Sequence, residues 1–234
     1  MPLNSPIPLP RLLETLTLAG LKPDDHVLDL GCGEGDLLRA VCVSGVTGLG
    51  VDLDPAAIAT AQDAQAGPAL SWMVGDVAEL EPSTVGGPSS LAICLGSTHA
   101  YGRGNDALPQ ALRALSRLVR PGGFLLVGEG FRRGDLPPAY RQLLGTPTGI
   151  ERTLVEVVCT AEDAGLECHH AVTATPAEWE AFEWAFWRRK RAALRTSGDT
   201  DRLASLRTWR NGFLQWGREH MGFVAMLLQT PPAT

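Results

Sequence analysis

The residues of this sequence best suited to ligand chemistry are a glycine loop and the acids around it. Val27-Leu28-Asp29-Leu30 is an apolar run broken by one carboxylate, and it leads into Gly31-Cys32-Gly33-Glu34-Gly35. Glycine lacks a Cβ, so such a loop lets the backbone approach a ligand closely. A strand entering the loop and a helix leaving it would hold that ligand at the C-terminal edge of a parallel sheet. The spacing is G-x-G-x-G with Asp at position 36, whereas a dinucleotide site needs G-x-G-x-x-G and a helix N-terminus open to pyrophosphate. A carboxylate there repels phosphate, which disfavours a nicotinamide dehydrogenase. Asp29, two residues before the first glycine, suits a cationic part of a ligand. Two more acids, Asp52 and Asp76, follow the next two apolar runs. Taken singly, each of these acids also reads as a helix cap or a solvated charge.

The elements that must position these groups follow from periodicity and turn signals. Four prolines in residues 1–10 indicate an extended arm, and Leu12, Leu13 and Leu16 mark one face of a short helix over 11–19. Strands are expected at His26–Leu30 and Gly48–Asp52, with further strands ending near Val74 and at Leu95 or Gly96. A fifth follows the Arg120-Pro121-Gly122-Gly123 turn, and a sixth lies in 166–174. Helices are expected over Asp36–Val43, from Pro55, over 105–119 and over 152–165. Continuous apolar strands alternating with helices imply a parallel sheet covered on both faces. After Pro176 the pattern changes to two long helices, 176–195 and 200–219, holding five of the six Trp, before a last apolar strand, 221–229. The expected organisation is an arm and helix (1–20), an α/β core (21–175), a helical insertion (176–220), and a final core strand with tail (221–234).

Composition bounds the function. At 44% hydrophobic and 20% charged residues, the chain of 234 residues is ordinary globular protein. No apolar run approaches the ~20 residues of a membrane span. Residues 1–14 lack the basic and apolar regions of a signal peptide. Five cysteines without a C-x-x-C pair argue against a disulfide framework or zinc ribbon, so a cytoplasmic protein is expected. Neighbouring His169 and His170 point to opposite faces of a strand, so no metal is expected there. Net charge is −6, which argues against wholesale binding to nucleic acid or membrane. The charge is uneven: residues 186–218 hold nine Arg or Lys against two Asp, +7 locally, leaving −13 on the rest.

The Val27–Gly35 block resembles motif I of the class I S-adenosylmethionine-dependent methyltransferases. Four further segments resemble the family's motifs in order: Gly50-Val51-Asp52-Leu53-Asp54, Gly75-Asp76-Val77, Leu91–Gly96, and Leu118-Val119-Arg120-Pro121-Gly122-Gly123. The resemblance covers residues 26–130 and fades after about 175. It implies a doubly wound, seven-stranded, mostly parallel sheet of the Rossmann-like methyltransferase fold, with the helical insertion between the last two strands. It also implies S-adenosylmethionine as donor and S-adenosylhomocysteine as product. Asp52, with Leu53 beside it, would take the ribose hydroxyls, and Asp76 with the Val77 amide would take the adenine. The backbone of Gly31, Cys32, Gly33 and Gly35 would meet the methionine part, Asp29 its amino group. Leu95 and Gly96 would line the donor below the methyl.

On the acceptor side, the same architecture would turn the Gly96–Gly102 segment towards the methyl. His99 is then a candidate base, because its reference pKa lies near working pH. Tyr101 is a candidate to orient the acceptor, and Glu129 a second candidate acid or base; a loop role without chemistry is the alternative for His99. Methyltransferases of DNA adenine and of glutamine carry [DN]-P-P-[YFW] after the fourth strand. Leu95-Gly96-Ser97-Thr98 departs from that pattern. The expected acceptor is a small molecule, aromatic, amine or acidic in character, with nucleic acid disfavoured. The alternatives are an RNA or protein methyltransferase, or a donor-binding protein without catalysis. The Trp and Arg of 176–220 are expected to pack on the sheet edge, line the acceptor pocket, or form a homodimer surface.

Overall fold

The computed structural model describes residues 3, 5–64 and 69–233. Its elements run α1 (Leu9–Thr17), β1 (His26–Leu30), α2 (Asp36–Val41), β2 (Thr47–Asp52), α3 (Pro55–Asp63), β3 (Leu70–Val74) and β4 (Ser89–Leu95). They continue α4 (Ala107–Arg117), β5 (Val119–Arg132), α5 (Pro138–Leu144), α6 (Leu154–Asp163), β6 (Glu167–Thr173), α7 (Pro176–Ser197), α8 (Thr200–Gly212), α9 (Arg218–His220) and β7 (Met221–Gln229). The strands form one sheet in the order β3-β2-β1-β4-β5-β7-β6. All pairings are parallel except those of β7, which is antiparallel to β5 and to β6. This is the doubly wound, mostly parallel sheet expected, with α7 and α8 between its last two strands. Its order reverses between β1 and β4, and ligands of such sheets bind outside the carboxyl ends of the strands at that point.

The central strands are buried on both faces because both carry apolar side chains. In β4 every residue from Ser89 to Cys94 is buried, and in β7 every residue from Gly222 to Leu228. Odd residues of β5 (Leu125, Val127, Phe131) pack with Leu108, Leu112 and Leu115 of α4 and with Val157 of α6. The opposite face packs Val27, Ile93, Leu126 and Phe223 with Leu12 of α1 and Leu37 and Leu38 of α2. The parity of each strand therefore decides on which side of the sheet a residue works.

Local chemistry sets the ends of the inserted helices. Thr175 and Glu178 form a reciprocal capping box at the start of α7, with Pro176 in the first turn, and Gly198 ends the helix in the left-handed region. Thr153 and Glu156 cap α6 in the same way. An ion pair from Arg11 to Glu178 ties α1 to the start of α7.

The structure departs from the sequence expectation in three places. Strand β5 starts at Val119, before the Pro121-Gly122 turn, and the pairing shifts register between Ser89 and Leu91 to absorb those residues. The expected helix over 200–219 ends at Gly212 and continues as a π turn over Phe213–Gly217. Tight packing against α5 accompanies that change. A Cβ on Gly212 would lie 2.0 Å from Leu143 Cδ2, and one on Gly217 2.6 Å from the Tyr140 hydroxyl. Helix α5 itself was not expected; Pro137-Pro138 at its start is the signal that identifies it. Among the described residues no helix is long and apolar enough to cross a membrane.

Candidate active site

A cleft of about 630 Å³ opens at the carboxyl ends of β1, β2 and β4. Its floor is the first βα turn, Gly31, Cys32 and Gly33, with Asp29 from β1 and Asp52 and Asp54 from the end of β2. The turn is tight because its glycines take positive φ: +84° at Gly31, +55° at Gly33 and +79° at Gly35. Space matters as well. A Cβ on Gly31 would stand 2.2 Å from Ser97 Oγ, and one on Gly35 2.1 Å from the Trp72 ring, while Gly33 meets nothing within 4 Å. Gly35 thus packs on Trp72 and does not line the cleft. Gly31→Ala should cost about 1–3 kcal/mol of stability from strain and overlap. Gly33→Ala should cost only the left-handed backbone penalty of about 1–2 kcal/mol. Thermal melts of the pair check this, and equal losses would count against the Gly31–Ser97 contact.

Two backbone donors fix the Asp52 carboxylate. Gly33 N–H donates to Oδ2 at 2.8 Å and Asp54 N–H to Oδ1 at 2.9 Å. A carboxylate has about four lone-pair sites, so each oxygen keeps an acceptor position for a ligand. Asp54 is occupied as the cap of α3, accepting from Ala56 N–H at 2.9 Å. Asp29 differs in kind: it is buried, with no hydrogen bond or cation at its carboxyl among the described residues. Burial, with the Asp52 charge adding to it, pushes its pKa up to about 7. An orphaned acid in the wall of a cleft fits a cationic ligand group. These features, glycines without room for Cβ, a pre-oriented carboxylate and a buried unpaired acid, fit S-adenosylmethionine. Asp52 matches its vicinal diol and Asp29 its ammonium.

The far end of the cleft is apolar. Trp179, Phe182 and Phe186 of α7 face Leu95 and Gly96 at the end of β4, and Phe223 of β7 lies between. Trp179 meets Phe223 edge to face at 6.1 Å. Leu3 and Pro6 of the arm close one side, and Ser97, His99, Arg189 and Lys190 complete the rim. One end is therefore acidic, the other aromatic and basic. Of the expected site residues, Asp29, Gly31, Cys32, Gly33, Asp52, Leu95, Gly96 and His99 come together here.

The others lie elsewhere. Asp76 is exposed and caps the turn after β3, accepting from Ala78 N–H at 2.9 Å, with Val77 buried beside it. Leu53 is 69% exposed next to Asp52, outside the cleft lining. Tyr101 is buried in the core on the α4 side, where its hydroxyl has no partner among the described residues. Glu129 shares its strand face with Val127 and Phe131 of that same core. It accepts from Thr98 Oγ1 at 2.6 Å, and burial pushes it up to about 7. Strand parity thus separates Glu129 from the Phe223 side, where the cleft opens, and Tyr101 packs in the cluster on the side of Glu129. Phe223 and the arm residues were not singled out from sequence, whereas Arg189 and Lys190 belong to the Arg-rich insertion for which lining the acceptor pocket was one of the expectations. The antiparallel register Gly130–Phe223, which brings Phe223 to the site, is a long-range pairing without a local signal.

Residues 27–123 match the family model described as "Methyltransferase domain". A search of curated proteins finds similarity to the uncharacterized protein YjhP of Escherichia coli, 28% identical over 217 residues, 89% of this chain and 86% of that protein. The X-ray structure of YjhP superposes with a TM-score of 0.81 at 25% identity, over 97% of this chain and 94% of that one. A methyltransferase of Geobacter sulfurreducens, described as S-adenosylmethionine-dependent and solved with S-adenosylhomocysteine, gives 0.80 at 26% identity, over 97% and 92%. Residues 27–123 thus match a methyltransferase domain, and motifs, fold, cleft and these likenesses are consistent with a class I S-adenosylmethionine-dependent methyltransferase of unassigned subfamily.

Proposed function

We propose that the chain methylates a small molecule with an apolar body, bound between the end of β4 and the aromatic face of α7. The observation that carries this reading is the single cleft whose acidic end suits the donor and whose aromatic end suits an acceptor. The bound donor supplies an electrophilic methyl on its sulfonium. The protein then has to hold the nucleophile in line in a dry pocket, where proximity and orientation give much of the rate. Trp179, Phe182, Phe186 and Phe223 exclude water, and Arg189 and Lys190 at the rim favour an acceptor carrying negative charge. His99 is the side chain of the rim suited to take a proton from a phenol or hydroxyl acceptor. Cys32 serves through its backbone, since burial holds its thiol well above the ordinary range. Asp76, Val77 and Leu53 are proposed to meet the adenine from the loops after β2 and β3. Tyr101 and Glu129 are left to packing.

An RNA or protein acceptor needs a continuous basic surface beside the methyl. Most arginines of α7 and α8 line a different groove, which favours the small-molecule reading. Tritiated-methyl transfer to a panel of aromatic acids, phenols and amines tests it, with bulk RNA and protein as competitors. Label in an aromatic acid or phenol is expected; label confined to RNA or protein overturns it. Asp52→Ala should weaken S-adenosylhomocysteine binding by about 1.5–3 kcal/mol, the worth of charged hydrogen bonds, with the fold intact. Calorimetry measures it, and unchanged affinity removes Asp52 from the ribose role.

A further inference from the structure

Helix α7 lines two separate cavities with two different faces. Residues 179, 182, 186, 189 and 190 line the cleft, whereas 184, 187, 188, 191 and 195 line a second groove, of about 400 Å³, against α8. At 3.6 residues per turn the two sets fall on opposite sides of the helix. Five guanidinium groups converge on the groove: Arg188, Arg191 and Arg195 from α7, Arg207 and Arg210 from α8. No acid lines it. Among the described residues none of the five is in an ion pair, and Arg210 donates only to the neutral Asn211 side chain. Surface arginines are usually balanced by nearby acids, so five unbalanced ones around one concavity leave a strongly positive potential.

The floor of the groove is apolar and aromatic. Trp184 is 42% exposed there and meets Trp187 edge to face at 5.0 Å, and Leu203 and Leu206 lie across from them. Trp187 is 96% buried, and its indole N–H has no acceptor among the described residues. We infer that the α7–α8 groove is a second binding site, for an aromatic organic anion: a flat apolar body on the Trp floor and a carboxylate, sulfonate or phosphate among the arginines. Arginine serves this role through its planar fork, which pairs with such anions bidentately and stacks on rings. The site is separate from the methyl-transfer cleft and does not depend on the acceptor assigned there.

The test titrates 2-naphthalenesulfonate into the full chain saturated with S-adenosylhomocysteine, followed by calorimetry and tryptophan fluorescence. Naphthalene-2-methanol and inorganic phosphate serve as uncharged and non-aromatic comparators. Saturable binding is expected, at least tenfold tighter than either comparator. Arg191→Ser/Arg207→Ser should weaken it at least tenfold, and Trp184→Ala should weaken it too. Arg189→Ser/Lys190→Ser, on the cleft face, should remove only binding that belongs to the cleft and leave in place the site that Arg191→Ser/Arg207→Ser weakens. Arg191, Arg207 and Trp184 are all exposed, and Arg191→Lys/Arg207→Lys provides a charge-preserving control with intermediate binding. Phosphate binding as tightly as the sulfonate would overturn the inference. So would loss of binding in the cleft-face variant alone. A dimer in sedimentation that the Arg191→Ser/Arg207→Ser variant dissociates would also overturn it, because a second copy would then cover the groove.

Discussion

Replacing Asp29 by Asn is expected to remove about 3 kcal/mol of the stability that the ligand-free protein loses between pH 5 and pH 8. The Asp29 carboxyl titrates near 7 in the folded chain against an ordinary value of 3.8. The folded state therefore holds its proton where the unfolded chain has released it. A group raised in this way contributes its full stability below about pH 4, and the contribution is lost as pH climbs towards 7. The whole interval corresponds to about 4 kcal/mol, most of it between pH 5 and 7. Glu129 and Glu183, also pushed up to about 7 by burial, add to the loss in the same direction. Asp25, Glu81 and Glu156 are lowered and act at more acid pH. Urea unfolding of wild type and Asp29→Asn at both pH values isolates the Asp29 contribution. A constant difference between the two proteins would mean that Asp29 is not an unpaired buried acid.

In the proposed donor site the same residue links pH to donor binding. An ammonium beside Asp29 needs the ionised carboxylate, so binding below pH 7 must expel the proton. Affinity for S-adenosylhomocysteine should rise up to about tenfold per pH unit between 5 and 7 and level off above. In Asp29→Asn that slope should vanish. Calorimetry in buffers of different ionisation enthalpy counts the released proton.

His99→Ala is expected to lower turnover by about 10²-fold or more for an acceptor that must lose a proton, the usual contribution of a positioned base. Affinity for S-adenosylhomocysteine should stay within about twofold, because the proposed donor contacts come from the floor of the cleft. Single-turnover methyl transfer under saturating donor measures the first quantity and calorimetry the second. Full activity in His99→Ala would assign the rate to positioning alone, the mode suited to an acceptor that is already a nucleophile.

Much of the cleft floor was legible in the sequence because its determinants are local. Glycines fix the first turn, and Asp52 follows directly from the end of a strand. Strand β1 falls at the predicted residues, His26–Leu30. The acceptor side depends on distant pairings that local patterns do not encode. Phe223 arrives through an antiparallel strand added after the helical insertion, and α7 is held over the cleft partly by the Arg11–Glu178 ion pair, 167 residues apart. Tyr101 and Glu129 show the limit of sequence position as a guide. Each is close in sequence to the methyl-facing loops, yet both belong to the α4 side of the sheet. The split of the α7 residues into two faces was present in their spacing. Which face looks into the cleft became visible only with the fold.

The central claim is that the donor lies over the first βα turn, between the Asp29 and Asp52 carboxylates and the aromatic wall of α7. A crystal structure of the chain with S-adenosylhomocysteine tests it most directly. The expected density runs across Gly31–Gly33, with the ribose hydroxyls on Asp52, the amino group at Asp29 and the thioether turned towards His99 and Trp179. Ligand seated elsewhere, or a ribose that does not touch Asp52, would contradict it.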